Sequence, residues 1–277
     1  MMVRPARRSG WHRLRWQIFA WPLLLFLVLP LIQLFLKLSP ETFIQNIQLK
    51  AVTDAIRISL ISTLITIVLA VLLGTPVAYL LHHRRLGFAK VASVIVDLPT
   101  VLPPAVAGLS LLLVFGRFGM IGRWLNLAGI QIPYTLAAVV MAQLFIAAPY
   151  YIRATAQGFE AISCEIKRAA ALDGASRWQV IRYIMLPMNV RPMLNGMVMC
   201  WARALGEFGA TILFAGNFQG RTQTMPLAVF IGFETNLESA ITLAAILIVL
   251  AVTVLVLVRL YLDMSVHSEN DEWDGQF

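Results

Sequence analysis

Six long apolar blocks dominate this sequence, at about 17–38, 55–81, 91–115, 134–152, 193–214 and 240–262. A bilayer core of roughly 30 Å is crossed by about 20 apolar residues in α-helix, and each block is near or above that length. In lipid, only helices and closed barrels satisfy every backbone polar group internally. Continuous apolar runs exclude the alternating pattern of a barrel strand. The prediction is an all-α polytopic membrane protein with six transmembrane helices. Composition agrees: 59% of the 277 residues are hydrophobic and 13% are charged, where soluble domains carry about 25% charged residues. Arg13 and Arg15 precede the first block in the manner of a signal peptide. That block is too long for one, and no small-residue cleavage site follows, so it reads as a retained first helix.

The basic residues orient the spans. Arg4, Arg7, Arg8, Arg13 and Arg15 precede the first span; Arg84, Arg85 and Lys90 separate the second from the third. Arg153, Lys167, Arg168, Arg177, Arg182 and Arg191 lie between the fourth and fifth, and Arg259 ends the sixth. These fifteen face one side, against Lys37, Lys50, Arg57, Arg117, Arg123 and Arg221 on the other. Both termini are therefore expected on the cytoplasmic side of the membrane. The net charge of +8 follows from this topology, and no basic soluble domain exists to bind nucleic acid. Cys164 and Cys200 are not expected to pair in a reducing compartment, and no metal-ligand spacing occurs. The acidic tail, about 263–277, lacks periodicity and is expected to be solvated and disordered. The whole chain, 1–277, reads as one transmembrane domain.

Several spans are interrupted. Gly74-Thr75-Pro76 falls in the second, and the third holds Pro99, Pro103 and Pro104. Proline removes a backbone donor and kinks or breaks a helix, which in a membrane is tolerated where it is buried in protein or lines a cavity. These three prolines are candidate path residues, with a packing kink as the alternative. Arg203 and Glu207 are four apart, predicted on one face near the middle of span five. Charges at such depth face an interior or wet cavity and pair with each other. They are candidates for an anion path or gate, the alternative being a structural ion pair. Thr211 follows toward the outside; a hydroxyl bonded back to its own helix competes with a role toward an oxyanion. His82 and His83 beside Arg84 and Arg85 suggest surface anchoring. Trp11, Trp16 and Trp21 suit an interfacial aromatic belt.

The segment of about 160–187 reads as helix, glycine turn, helix. Residues 160–172 are good helix formers, Gly174 suits a helix C-terminus needing positive φ, and Ser176 with Gln179 forms a capping box for the next helix. Pro187 then returns the chain to the membrane. Ala169, Ala170, Gly174, Ile184, Leu186 and Pro187 stand at the spacing E-A-A, three residues, G, nine residues, I-x-L-P. This resembles the cytoplasmic loop of ATP-binding-cassette (ABC) importer permeases. Arg168 replaces the glutamate of that pattern, and Glu165 one turn earlier is a conjectural substitute.

The resemblance implies that Glu165, Arg168, Ala169, Ala170, Asp173, Gly174, Ala175, Ile184, Leu186 and Pro187 form a loop docking on a separate ATPase. Leu73–Tyr79, Leu98–Gly108, Phe115–Arg117, Arg203–Ala210 and Arg221-Thr-Gln-Thr-Met-Pro-Leu227 look like molybdate permeases. Sulfate and thiosulfate permeases share the proline run and Ala204-Leu-Gly-Glu-Phe-Gly209, and are the alternative. The implied partners are ABC ATPase subunits, a second copy of this chain, an extracytoplasmic oxyanion-binding protein and membrane lipid. ATP and magnesium would bind the ATPase; no cofactor or metal is expected here, since the chain has no phosphate-loop motif. An intramembrane enzyme would need nucleophile, base or metal ligands at membrane depth. A channel or secondary transporter would work without the ATPase.

Overall fold

The computed structural model describes the backbone of residues 10–82 and 87–274 and the side chains of 19–82 and 87–261. His83, Arg84 and Arg85, and the side chains of Trp11 and Trp16, lie outside what is described. Every regular element among the described residues is helical.

The chain enters through α1 (Gly10–Leu36), whose apolar stretch Phe19–Leu36 is nowhere buried by the rest of the chain. A short α2 (Pro40–Ile47) follows, tied to the last helix by Asn46 Nδ2 donating to Thr242 Oγ1 at 3.1 Å. Then come α3 (Lys50–His82), α4 (Gly87–Val101), α5 (Pro104–Phe115), α6 (Gly122–Leu127) and α7 (Leu136–Ala161). The segment between α7 and the next long helix holds α8 (Cys164–Leu172), α9 (Arg177–Val180), a π-helical turn (Ile181–Met185) and α10 (Leu186–Met188). The chain closes with α11 (Val190–Leu205), α12 (Gly209–Phe214), α13 (Met225–Thr235) and α14 (Leu237–Asp274).

Four described helices, α1, α3, α7 and α14, are long and apolar enough to cross a membrane, or five spans if the bent pair α4–α5 counts as one. The expected six are not reached by this measure, because the block at 193–214 is divided. Its longer part, α11, has 16 residues, and the chain breaks at Gly206 before α12. The block at 91–115 also divides, with α4 and α5 meeting at 115°. The cause is local: Pro103 precedes Pro104, and a residue before proline is pushed out of the α region. Pro103 accordingly sits at φ −56° and ψ 132°. Pro99 stays inside α4, and α3 runs unbroken through Pro76, contrary to the expected interruption there. At that point Thr75 Oγ1 donates to the Val71 carbonyl at 2.7 Å and also meets Tyr151 Oη at 2.7 Å, so neighbouring polar groups are used up locally. The tail expected to be disordered continues α14 as helix to Asp274.

α7 is the hub, packed on α3, α11, α12, α4 and α5. Membrane helices gain little from burying apolar area against lipid, so they associate through small residues that let backbones approach. Gly108 of α5 shows this: a Cβ there would lie 2.6 Å from the Ala210 carbonyl oxygen of α12. One cluster (Ala78, Ala147, Tyr151, Phe159, Met185, Cys200) joins α3, α7, α11 and the base of the α8–α10 segment. A second, with Ala107, Ala142, Ala210 and Phe214, joins α5, α7 and α12.

Candidate functional site

The α8–α10 segment projects from the bundle. Ser163 caps α8, its hydroxyl accepting from Ile166 N. The helix ends in a left-handed glycine: Gly174 has φ +83°, Gly174 N donates to the Ala171 carbonyl at 3.2 Å, and Ala175 N donates to that of Ala170 at 3.0 Å. Those two bonds make a Schellman closure, which satisfies carbonyls the helix end would leave open. Ser176 and Gln179 form both bonds of the predicted capping box. No residue of α8 or α9 is buried. Leu172, Trp178 and Tyr183 stand 89%, 64% and 67% exposed, a partly apolar surface suited to a partner rather than to water.

Of the expected docking residues, Glu165, Arg168, Ala169, Asp173 and Gly174 are exposed on α8 and its turn, and Ala170 and Ala175 are half-buried. Ile184 and Leu186 lie deeper, half-buried at the base, beside exposed Pro187. The segment is mounted through Ile162, Met185 and Asn189, 6%, 3% and 0% exposed. Asn189 Nδ2 donates to the Thr155 carbonyl of α7 at 3.0 Å. Its Oδ1 occupies the space where a Cβ on Gly158 would be, 1.7 Å away. The base of the α8–α10 segment is thus packed closely on α7. Asn189 is not in the expected set, and its only signal in the sequence is its place two residues after Pro187.

Within the membrane, the two helix breaks face each other. A Cβ on Gly209, at the start of α12, would lie 2.9 Å from Pro104 Cβ at the start of α5. Pro103, Pro104, Glu207 and Thr211 are thus gathered around one junction, while Pro99 lies further back along α4. Arg203 Nη1 and Glu207 Oε2 are 2.7 Å apart. They do not share a helix as expected, since α11 ends at Leu205 and Glu207 sits in the break. The carboxylate is 1% exposed, and its other oxygen accepts from Ala210 N at 2.9 Å. A buried charge is tolerable only when paired and hydrogen-bonded, and Glu207 has both a guanidinium and a backbone donor. Arg203 keeps 27% of its side chain accessible. Thr211 is fully buried, and its hydroxyl has no hydrogen-bond partner among the described residues, so the expected bond to its own helix is not made.

A second ion pair escaped the sequence reading. Arg153 of α7 meets Asp97 of α4 with both ends of its guanidinium, Nε donating to Oδ1 at 2.7 Å. The same side chain donates to Ser93 Oγ at 2.6 Å and to the Ser93 carbonyl at 2.9 Å. Arg153 had been counted only among the basic residues that orient the spans. Asp97 stands within the apolar block 91–115, and a charge within a span calls for a partner; that is the available signal.

Long apolar helices, two helix breaks packed on each other and an exposed segment that leaves and re-enters the bundle define a helical, polytopic membrane protein. Residues 67–263 match the family described as binding-protein-dependent transport system inner membrane component, and the chain belongs to that family, the permease subunits of ABC importers. It is 36% identical to the molybdenum transport system permease protein ModB of Mycobacterium tuberculosis over 83% of this chain and 88% of that one. It is 32% identical to the sulfate transport system permease protein CysW of Synechocystis over 85% and 87%. A bacterial alginate ABC transporter, crystallised in complex with an alginate-bound periplasmic protein, has the same fold: TM-score 0.69, 18% identity, 91% and 96% of the two chains covered.

Proposed function

We propose that this permease carries molybdate, or the similar tetrahedral dianion tungstate, into the cytoplasm by alternating access. The observation that carries this reading is the 36% identity to ModB, which extends over most of both chains. The Arg221–Leu227 segment supports it. There Thr222, Gln223, Thr224 and Met225 are buried, and Met225 N donates to Ser59 Oγ at 2.7 Å.

In this reading two copies of the chain enclose the path, both termini face the cytoplasm, and two ATPase subunits carry ATP and magnesium. An external binding protein delivers the anion to the outer loops around 116–133 and 215–238. ATPase closure draws together the exposed α8–α9 segments around Gly174. The mounting at Met185 and Asn189 passes that displacement to α7, against which both breaks are packed. A conformational change requires differential contacts in the two states, and α8–α9 is where this chain makes them. At the junction, the accessible guanidinium of Arg203 attracts the dianion. Glu207 partly neutralises it, so that the anion leaves again. This chain supplies no ATP chemistry of its own.

The second reading, a sulfate or thiosulfate permease, is favoured by the 32% identity to CysW over a similar span. Elemental uptake separates the two. Cells deleted for this gene and complemented with it are grown at limiting molybdate with excess sulfate. Restored cellular molybdenum without competition by sulfate is expected. Unchanged molybdenum with lowered sulfur uptake in the deletion strain would make this a sulfate permease.

A further inference from the structure

A cavity of about 410 Å³ lies between the α8–α9 segment and the His82 end of α3. Its polar lining is Tyr79, His82, Lys167 and Arg177; its floor is apolar, with Val180, Ile181 and Met185. Lys167 Nζ stands 3.1 Å from His82 Nε2. An ammonium group has no lone pair to offer, so in this contact Lys167 donates and His82 accepts. The imidazole is tilted on Phe159 with ring centroids 6.5 Å apart.

Two full positive charges, Lys167 and Arg177, are thus left facing the cavity. Neither has a carboxylate partner among the described residues. Two other charged cavities differ in kind. The one of about 320 Å³ near the start of α3 sets Asp54 beside Arg57 and Arg221. The one of about 430 Å³ along α4 sets Asp97 and Glu160 beside Lys90 and Arg153. Both contain their own counter-charges, whereas the cavity at Lys167 has cations and no acid in its lining.

Lys167 is half-buried and Arg177 exposed at the rim; two cations without an acid beside them in a concave site concentrate anions. A lysine and an arginine together suit a phosphate-type group, which accepts charge-assisted hydrogen bonds from both. The volume falls within the usual range of small-molecule sites. Lys167 belongs to α8, Arg177 to α9, and Tyr79 and His82 to α3, so one anion here touches three elements and adds to the Lys167–His82 contact that already joins α8 to α3.

We propose that this cavity binds a doubly charged phosphate-type oxyanion, free or as a lipid phosphomonoester headgroup, and that the bound anion staples the α8–α9 segment to α3. The binding itself is independent of the coupling role assigned above; its consequence, a restrained coupling segment, rests on that role.

The test uses the full chain in nanodiscs, without the binding protein, and reads equilibrium binding of radiolabelled orthophosphate in discs of phosphatidylcholine alone. Lys167→Gln/Arg177→Gln is expected to weaken binding at least about tenfold, through loss of both charge-assisted donors. Lys167→Arg, which keeps the charge, restores most of it, and Lys90→Gln in the neighbouring cavity leaves it unchanged. If the double variant does not fold, the single variants are read instead, each against its charge-conserving partner. Displacement of orthophosphate by phosphatidic acid in the disc identifies the headgroup as a competing source. Retention of phosphatidic acid alone by the wild type, seen by native mass spectrometry and lost in the double variant, makes the lipid the ligand. Equal binding by wild type and double variant overturns the proposal, as does absence of both phosphate and phosphatidic acid from the wild type. Normal uptake by a Gly174→Asp variant would defeat the coupling role while leaving this binding result intact.

Discussion

Glu207 is 1% exposed, yet it has a guanidinium on one oxygen and a backbone N–H on the other. Removing Arg203 would leave that carboxylate buried with one partner, a destabilising change on its own. Arg203→Ala is therefore expected to lower the amount of folded protein. If the guanidinium also attracts the anion, uptake falls further than the protein level does. Immunoblotting beside uptake in the same cells separates the two effects, and a proportional loss would mean that the pair is structural. Gly158 offers a plainer case. A Cβ there would meet Asn189 Oδ1 at 1.7 Å and Pro192 Cβ at 2.6 Å. Gly158→Ala is expected to destabilise the chain by about 1–3 kcal/mol, the usual range for overpacking, seen as a lower thermal transition in detergent. Gly87→Ala, which meets nothing within 4 Å, serves as the control and should not shift it.

At the scale of elements, α8 to α10 are exposed and locally determined, with a capped start, a Schellman end and a capping box. Gly174 is the point that fixes the angle between the arms, at φ +83°. A side chain there has open space but an unfavourable backbone, costing about 1–2 kcal/mol for most residues and less for Asp or Asn. Gly174→Asp is therefore expected to leave the chain inserted while losing transport, because it strains the docking turn and adds a negative charge there. Wild-type uptake by that variant would remove the coupling assignment. The proline break behaves differently, since its consequence is tertiary. Pro104 leads α5 into contact with Gly209 of α12, so Pro104→Leu is expected to impair folding and uptake together through a crowded junction.

For the whole molecule, the large unburied apolar faces set the terms. Phe19–Leu36 of α1 is not covered by the chain, and only 17% of the apolar window in α14 is buried. Such surface belongs against lipid or another subunit. Paired cysteines placed by trial along α5 and α12 should cross-link two copies in native membranes if the permease is a dimer around the junction. Cross-linking confined to single chains would contradict that arrangement.

Membrane residence, helical class and the capped α8–α9 turn were legible in the sequence because each depends on local chemistry. Apolar run length answers to bilayer thickness, and caps answer to residues within one or two turns. The Pro103–Pro104 break was legible for the same reason, as backbone sterics act between neighbours. What only the tertiary structure decided involves partners far apart in the chain: Asp97 with Arg153, 56 residues on, and Asn189 with Thr155 and Gly158. It also decided that α3 continues through Pro76 while α11 ends before Gly206, so that one expected span divides in two. Hydropathy measures how readily a segment enters lipid. It does not register where packing, a buried carboxylate or a close glycine contact makes a second helix start more stable than continuation of the first.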